Sequence, residues 1–338
     1  MVTMKDVAKR AGVSVITVSR VVNGSGYVGN ATRMKVEAAI EELHFVPNMV
    51  ASNLRSRQSD LLALVLPDIT NSFWTSIARG AEDEAWAHGY GVFICNTDND
   101  PIKEEGYIKR LLQRRVEGVL IVPTPRPANE SQLQRLRRHG TKFVVIHRKL
   151  AGTVADVVRS DSEGAARALT IELARTGRTR IAFVGFPLSY ASSTDRLKGY
   201  QEGLRAAGLE IDPALIRFGE GLNESGGYLM VAELLNDHPR PDAILLANSR
   251  LALGGLRAIR DAGVRVPDDI AVAAFHDITT MDEYAPCLIR AVQPSYRMGQ
   301  MATRRLLEMD SHGNGPYKEI ILDTEIHVWD SPTTTSTR

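Results

Sequence analysis

Short apolar runs and amphipathic stretches alternate along most of the chain. Runs with the look of buried strands recur at LLALVL (61–66), GVFIC (91–95), GVLIV (118–122), FVVI (143–146), RIAFVGF (180–186), DAILLAN (242–248) and IAVAAF (270–275). Stretches with helical spacing separate them, among them Thr75 to His88 and Glu104 to Arg115. Near-continuous apolar strands joined by helices are the pattern of parallel sheets covered on both faces. Eight or nine such strands over about 270 residues predict two doubly wound domains rather than one. Ligands of such sheets bind beyond the carboxyl ends of the strands. The residues to watch therefore follow the runs: Asp68 to Trp74, 123–126, His147-Arg148, Pro187 to Arg196, Asn248-Ser249 and His276-Asp277.

The first 46 residues follow a different rhythm. Thr3 precedes Met4-Lys5-Asp6 at capping-box spacing, with Asp in place of Glu, and Val7, Ala8 and Ala11 supply an apolar stripe. Gly12 breaks this helix, and Ser14 can cap a second one over Val15 to Val22. Asn23-Gly24-Ser25-Gly26 is a turn cluster. A third helix is predicted from Thr32 to Leu43, with Met34, Val36, Ala39, Ile40 and Leu43 on its buried side. Two short helices around a glycine turn, with a third packed on them, describe a helix-turn-helix module. The mixed stretch NMVASNLRSRQSD (48–60) is a linker that needs a partner to become helical. SPTTTSTR (331–338) reads as a frayed tail, with no heptad repeat to extend it into a coiled coil.

Charge sharpens the division. Residues 1–58 carry eight Lys/Arg against four acids, a balance of +4, whereas the other 280 carry 33 against 36. A basic head on a mildly acidic body suggests that the head meets a polyanion. The longest apolar runs fall far short of the roughly 20 residues needed to cross a bilayer. The start, MVTMKDVAKRAG, contains no apolar signal core. Cys95 and Cys287 are too few for a disulfide framework or a zinc site. The expectation is a reduced, cytoplasmic protein with no membrane contact, no metal and no cofactor. No G-x-S-x-G, H-E-x-x-H, G-x-x-x-x-G-K-[ST] or strand-borne G-x-G-x-x-G occurs, so an enzyme is not expected.

The blocks MKDVAKRAGVSVITVSRVVNG, KVEAAIEELHFVPN and NMVASNLRS, followed by PDITNSFW, DRLKGYQEGL, ANSRLALGGLRAI and VPDDIAVAAF, stand in one order along the chain. In this the sequence resembles the LacI/GalR family of bacterial transcription regulators over nearly its whole length. The resemblance implies a helix-turn-helix DNA-binding domain (1–46), a hinge helix (47–58) and a body like periplasmic sugar-binding proteins. Three crossovers near 160, 290 and 321 would divide that body into an N-subdomain (59–160 with 291–320) and a C-subdomain (161–290 with 321–330). One head reads a half-site, so a homodimer on a near-palindromic operator is implied.

On the second helix, Val15, Ile16 and Arg20 fall at i, i+1 and i+5, on the groove-facing side. Arg20 offers a bidentate fork to guanine, worth roughly 1–3 kcal/mol of discrimination, and Val15 and Ile16 suit thymine methyls. Ser14, Thr17, Ser19, Asn23 and Thr32 carry groups suited to phosphate oxygens, although Ser14 and Thr32 equally suit helix caps. The resemblance makes Leu54 the hinge residue that wedges into the minor groove at the operator centre.

For the body the resemblance implies an effector cleft. Arg196 matches a ligand-clamping arginine, Phe73 and Trp74 match residues that stack on the ligand, and Asn248 matches a polar cleft position. Tyr190, Ser192 and Leu222 fall at variable pocket positions. The departures carry more. Where family members commonly present an aspartate, this chain has His147 before Arg148, Ser249 after Asn248, and His276 after AAF. Fewer carboxylates, two imidazoles and the arginines predict a more positive cleft and an anionic effector. A gluconate-like sugar acid is favoured over a sugar phosphate, since gluconate-responsive members resemble this chain in a His at the position of His276. Three alternatives stay open. His147 could pack and hydrogen-bond backbone while Ser249 caps its helix, or Asp277 could replace the missing acid, leaving a neutral sugar or nucleoside as effector. A protein co-regulator could act instead of a small molecule. A transporter's sugar-binding protein would share the body but not the basic head.

Overall fold

A computed structural model describes residues 2–46, 59–125, 128–149, 154–275, 289–310 and 317–328. The expected hinge helix (47–58) with Leu54, His276, Asp277, Cys287 and the 331–338 tail lie outside the described residues. The chain forms two units, residues 1–59 and 60–338.

In the first unit, α1 (Met4–Ala11) begins in the capping box read from sequence. Thr3 accepts from the Asp6 amide at 3.4 Å, and the Asp6 carboxylate accepts from the Thr3 amide at 2.8 Å. Gly12, at φ 67°, ends the helix in the left-handed region that favours glycine. Helix α2 (Val15–Val22) is capped by Ser14, whose Oγ accepts from the Thr17 amide at 3.2 Å. Helix α3 runs Asn30–Glu42, two residues ahead of its predicted start. Its cap is Gly29, whose carbonyl takes the amides of Thr32 and Arg33 at 3.0 Å. Thr32 therefore sits inside the first turn, and its reading as a cap is corrected. Met34 is corrected too, being 69% exposed. Val36, Ala39, Ile40 and Leu43 form an i, i+3, i+4, i+7 stripe, and Met34, two residues ahead of it, falls on the opposite side. The stripe closes on Val7, Ala8, Val18, Val21 and Phe45.

The described residues of the second unit form two six-stranded sheets. Strands β1 (Leu61–Leu66), β2 (Gly91–Asn96), β3 (Gly118–Ile121), β4 (Lys142–Ile146), β5 (Asp156–Ser160) and β11 (Glu319–Leu322) form the first, in order β11-β5-β4-β3-β1-β2 and all parallel. Strands β6 (Ile181–Gly185), β7 (Ile216–Phe218), β8 (Ala243–Leu246), β9 (Ala271–Phe275), β10 (Ile289–Val292) and β12 (Glu325–His327) form the second, in order β12-β10-β9-β8-β6-β7. Only β12 runs antiparallel within it. The seven apolar runs read from sequence are all strands. The five missed ones (β5, β7, β10, β11 and β12) carry Asp156, Arg159, Arg217, Arg290, Glu319 or Glu325, which break the continuous apolar signal.

Helices α4 (Ser72–Ala87) and α11 (Ser295–Glu308) cover one face of the first sheet, and α5 (Pro101–Arg114) and α6 (Ala128–Arg138) the other. The second sheet packs against α7 (Ser162–Arg175), α8 (Ala191–Ala206), α9 (Glu224–Asn236) and α10 (Ser249–Asp261). Helices α4 and α11 approach closely enough that a Cβ on Gly80 would fall on the Tyr296 carbonyl, and one on Gly299 on the Ile77 carbonyl.

Among the described residues the chain crosses between sheets three times: after Ser160, after Val292 and after Leu322. The second crossing comes two residues later than expected from sequence, and the third one residue later. Ala291 pairs with Phe275 in the second sheet, and Leu322 pairs with Ser160 in the first, so pairing carries each strand past the expected boundary. All three crossings lie at the β5/β11 and β10/β12 end of the two sheets.

Candidate effector cleft and nucleic-acid interface

A cleft of about 450 Å³ opens where the carboxyl ends of the two sheets face each other. That volume lies within the range of small-molecule sites. From the first sheet come Asp68 after β1, Phe73 and Trp74 on α4, Asp98 and Asn99 after β2, and His147 and Arg148 after β4. From the second come Phe186, Tyr190, Ser192 and Arg196 around the start of α8, Leu222 after β7, Asn248 to Arg250 after β8, and Phe275. Gln293 enters from the crossing after β10. Ten of the eleven residues named from sequence thus line one cavity, and the eleventh, His276, lies outside the described residues. Asp98, Asn99 and His147 all hold positive φ, at 55°, 57° and 63°. Left-handed backbone in residues other than glycine carries strain, and such strain collects at ligand sites.

The buried arginines dominate the cleft's chemistry. Arg148 donates to the Asn99 side-chain oxygen at 2.7 Å and to the Pro123 carbonyl at 3.5 Å. Its guanidinium lies 4.8 Å from the Tyr190 ring centroid and 5.3 Å from that of Trp74. Burial pulls its pKa down to about 10, so it remains a cation at neutral pH. Arg196 stacks on Phe275 at 3.8 Å and donates to the Ala247 carbonyl and, at 3.1 Å, to Gln293. Gln293 in turn donates to Ser160 at 2.6 Å, so the clamp candidate is tied to two of the three crossings.

His147 corrects the charge reading. Its ring packs edge-on against Phe73 at 5.0 Å and Trp74 at 5.4 Å. Burial first, then the positive charges of Arg196, Arg148 and Arg159, hold its pKa well below the usual imidazole range. This imidazole is neutral and adds no positive charge. Its Nδ1 is buried and has no hydrogen-bond partner. The same holds for the Asn248 amide nitrogen, while the Asn248 oxygen caps α10 through the Leu251 amide at 2.8 Å.

Two carboxylates of the cleft were not singled out from sequence as binding residues. Asp68 accepts from the Thr70 amide and hydroxyl at 2.8 and 2.6 Å and from Arg250 at 2.9 Å. Burial opposes its ionisation, but Thr70 and Arg250 outweigh it and hold the pKa below its ordinary value. Asp98 meets Lys103 at 2.5 Å and Asn96 at 2.6 Å, and the Lys103 contact leads in holding it low. Both acids are ionised and engaged. Asp68 and Arg250 each stand in a block quoted for the resemblance, yet they lie 182 residues apart, so no local spacing reveals the pair.

In the first unit, Val15 and Ile16 are 40% and 67% exposed, and Arg20 and Asn23 are exposed beside them. Ser14 lies 2.9 Å from Thr17, and Ser19 accepts from Asn23 at 3.1 Å. Apolar side chains left in water on a short helix with a basic neighbour mark a surface built for contact. Arg10 and Glu42 pair at 2.6 Å and pin α1 to α3 behind it. Among the described residues no helix is long and apolar enough to cross a membrane, and no cluster of three His, Cys, Asp or Glu could hold a metal.

A helix-turn-helix module on a two-sheet, cleft-bearing body defines a ligand-responsive DNA-binding regulator. Residues 3–48 match the bacterial regulatory proteins of the lacI family, and residues 59–314 match the periplasmic binding proteins and sugar binding domain of that family. The chain belongs to the LacI family of bacterial transcription regulators. It is 32% identical to the HTH-type transcriptional regulator RegA of Clostridium saccharobutylicum, covering 91% of this chain and 92% of that protein. Identity is also 32% to the ribose operon repressor of Escherichia coli K12, covering 89% and 91%. Among solved structures, the Lac repressor dimer bound to operator and the anti-inducer ONPF superposes with a TM-score of 0.85, at 29% identity over 96% and 97% of the two chains. The complex of the regulator CelR with cellobiose gives 0.72 at 31% identity, covering 97% and 99%. These relatives are regulators, not enzymes.

Proposed function

We propose that the protein is a repressor that holds a near-palindromic operator as a homodimer and releases it when a sugar acid enters the cleft. The observation that carries the effector class is Arg148. A buried guanidinium hydrogen-bonded to neutral oxygens keeps a charge that a ligand carboxylate would match with charge-assisted hydrogen bonds. Among the described residues lining the cleft, Asp68 and Asp98 are engaged elsewhere, and the acid whose charge acts on Arg148 is the buried Glu104, which lies outside the lining. The unpartnered Nδ1 of His147 and amide of Asn248 suit hydroxyls, and Phe73, Trp74 and Tyr190 offer apolar faces to a carbon chain or ring. Carboxylate and hydroxyls together describe an aldonic, keto-aldonic or uronic acid.

On the DNA side, Val15, Ile16 and Arg20 read base edges while Ser14, Thr17, Ser19, Asn23 and Thr32 meet phosphates. Paired hinges with Leu54 open the minor groove between the heads. Effector binding changes the angle between subdomains and melts the hinge, a coupling of about 1–3 kcal/mol per site. Calorimetric titration of the full chain with gluconate, glucuronate, glucose, ribose and glucose 6-phosphate tests the effector class. Heat from the acids alone supports it. Heat from a neutral sugar alone, or from the phosphate alone, overturns it.

A further inference from the structure

Arg250 sits at the start of α10 in the C-subdomain, and Asp68 follows β1 in the N-subdomain. They meet across the cleft at 2.9 Å, and the same Arg250 nitrogen reaches the Thr70 hydroxyl, also at 2.9 Å. All three side chains line the cleft. The place of this bridge matters more than its strength. The three crossings, the points about which the two subdomains would rotate, lie at the β5/β11 and β10/β12 end. Strands β1 and β8, which carry Asp68 and Arg250, lie towards the other end of their sheets. Rotation about the crossings therefore moves these two groups farther apart than it moves any pair near the hinge. Arg159 and Asp195, which also join the subdomains at 3.6 Å, sit close to the crossings on β5 and α8 and have little lever arm.

We propose that Asp68, Thr70 and Arg250 form a clasp that holds the cleft closed before any effector arrives. Arg250 also neutralises Asp68, so one pair sets both the opening equilibrium and the charge seen by an entering ligand. Asp68 is prepared for the role, because Thr70 fixes its carboxylate in place from its own loop. Arg250 has a second acid, Glu224 at 3.7 Å, on its own subdomain, which receives it when the clasp opens. The clasp does not depend on the identity of the effector.

The test uses the full chain without effector or DNA. Nitroxide labels go on exposed positions of the two subdomains, through Lys109→Cys and Arg205→Cys in a Cys287→Ser background, diluted with unlabelled protein. Cys95 is buried and its thiol is pushed up to about 11, so it does not label at neutral pH. Partly exposed ion pairs shift an equilibrium by about two- to five-fold. Arg250→Gln and Asp68→Asn should each lower the closed-to-open ratio by that amount, the double variant should match the singles, and the exchange Asp68→Arg with Arg250→Asp should restore part of it. Raising salt should mimic the substitutions in the parent and leave the variants unmoved. Distance distributions of both folded single variants that superpose on the parent overturn the clasp, as does additivity of the two substitutions.

Discussion

Arg148→Met separates a binding role from a packing role. Most substitutions of a buried side chain destabilise by removing contacts. Here the side chain is 5% exposed, yet it carries a charge that burial opposes. Its pKa of about 10 against an ordinary 12.5 corresponds, at about 1.4 kcal/mol per pH unit, to roughly 3 kcal/mol working against the folded state. Methionine keeps most of the stem but loses the guanidinium's cation–π contacts with Trp74 and Tyr190, together about 1–2 kcal/mol. It loses the hydrogen bonds to Asn99 and Pro123, together about 1–2 kcal/mol. The effector-free variant should therefore match the parent to within about 1 kcal/mol in urea unfolding. Binding should move the other way. Removing a charge-assisted hydrogen bond worth about 1.5–3 kcal/mol weakens a sugar acid by roughly 10- to 150-fold. Neutral sugars should be indifferent. A variant that loses more than about 2 kcal/mol of stability and binds sugar acids as before would refute the reasoning, and Arg148 would be a packing residue.

Three further outcomes follow from the same structure. His147 is held neutral in the folded state, whereas the unfolded chain takes up its proton below about pH 6.5. Stability from this group is thus present above pH 6.5 and lost as pH falls below it, at up to about 1.4 kcal/mol per pH unit. His147→Gln should flatten that decline between about pH 5 and 6.5 in urea titrations, and an unaltered slope would show that the ring is protonated in the fold. Gly80→Ala places a Cβ on the Tyr296 carbonyl and should cost about 1–3 kcal/mol in the same assay, whereas unchanged stability would contradict the close approach of α4 and α11. Leu54→Ala should lose specific operator affinity in a mobility-shift assay while calorimetric effector binding stays intact. Unchanged operator affinity would remove Leu54 from the hinge role.

Legibility in the sequence followed continuity of signal. Runs such as LLALVL and AVAAF are buried on both faces, and nothing else of that length and composition competes with a central parallel strand. Strands β5, β7, β10, β11 and β12 carry charges, some paired between neighbouring strands as Arg159 is with Glu319, and so lack the run. Caps were legible where a side chain does the work, as at Thr3 and Ser14, and not where a glycine carbonyl does, as at Gly29. His147, Arg148, Asn248 and Ser249 stand at the ends of apolar runs, whereas Phe73, Trp74, Tyr190, Ser192, Arg196 and Leu222 were named through the family resemblance. Those missed depend on distant partners, as with Asp68 and Arg250, or on burial, as with the neutral state of His147. Imidazole charge is a property of the packed site and cannot be counted from composition.

The proposed function joins a sugar-acid cleft to operator grip in one protein. Fluorescence anisotropy of the full chain on its own upstream DNA, at one fixed salt concentration, measures that coupling directly. Release is expected on adding gluconate or a related sugar acid, and none with glucose or ribose. Release by a neutral sugar with no effect of any acid would contradict the effector assignment, and tighter binding in the presence of the acid would contradict the direction of the coupling.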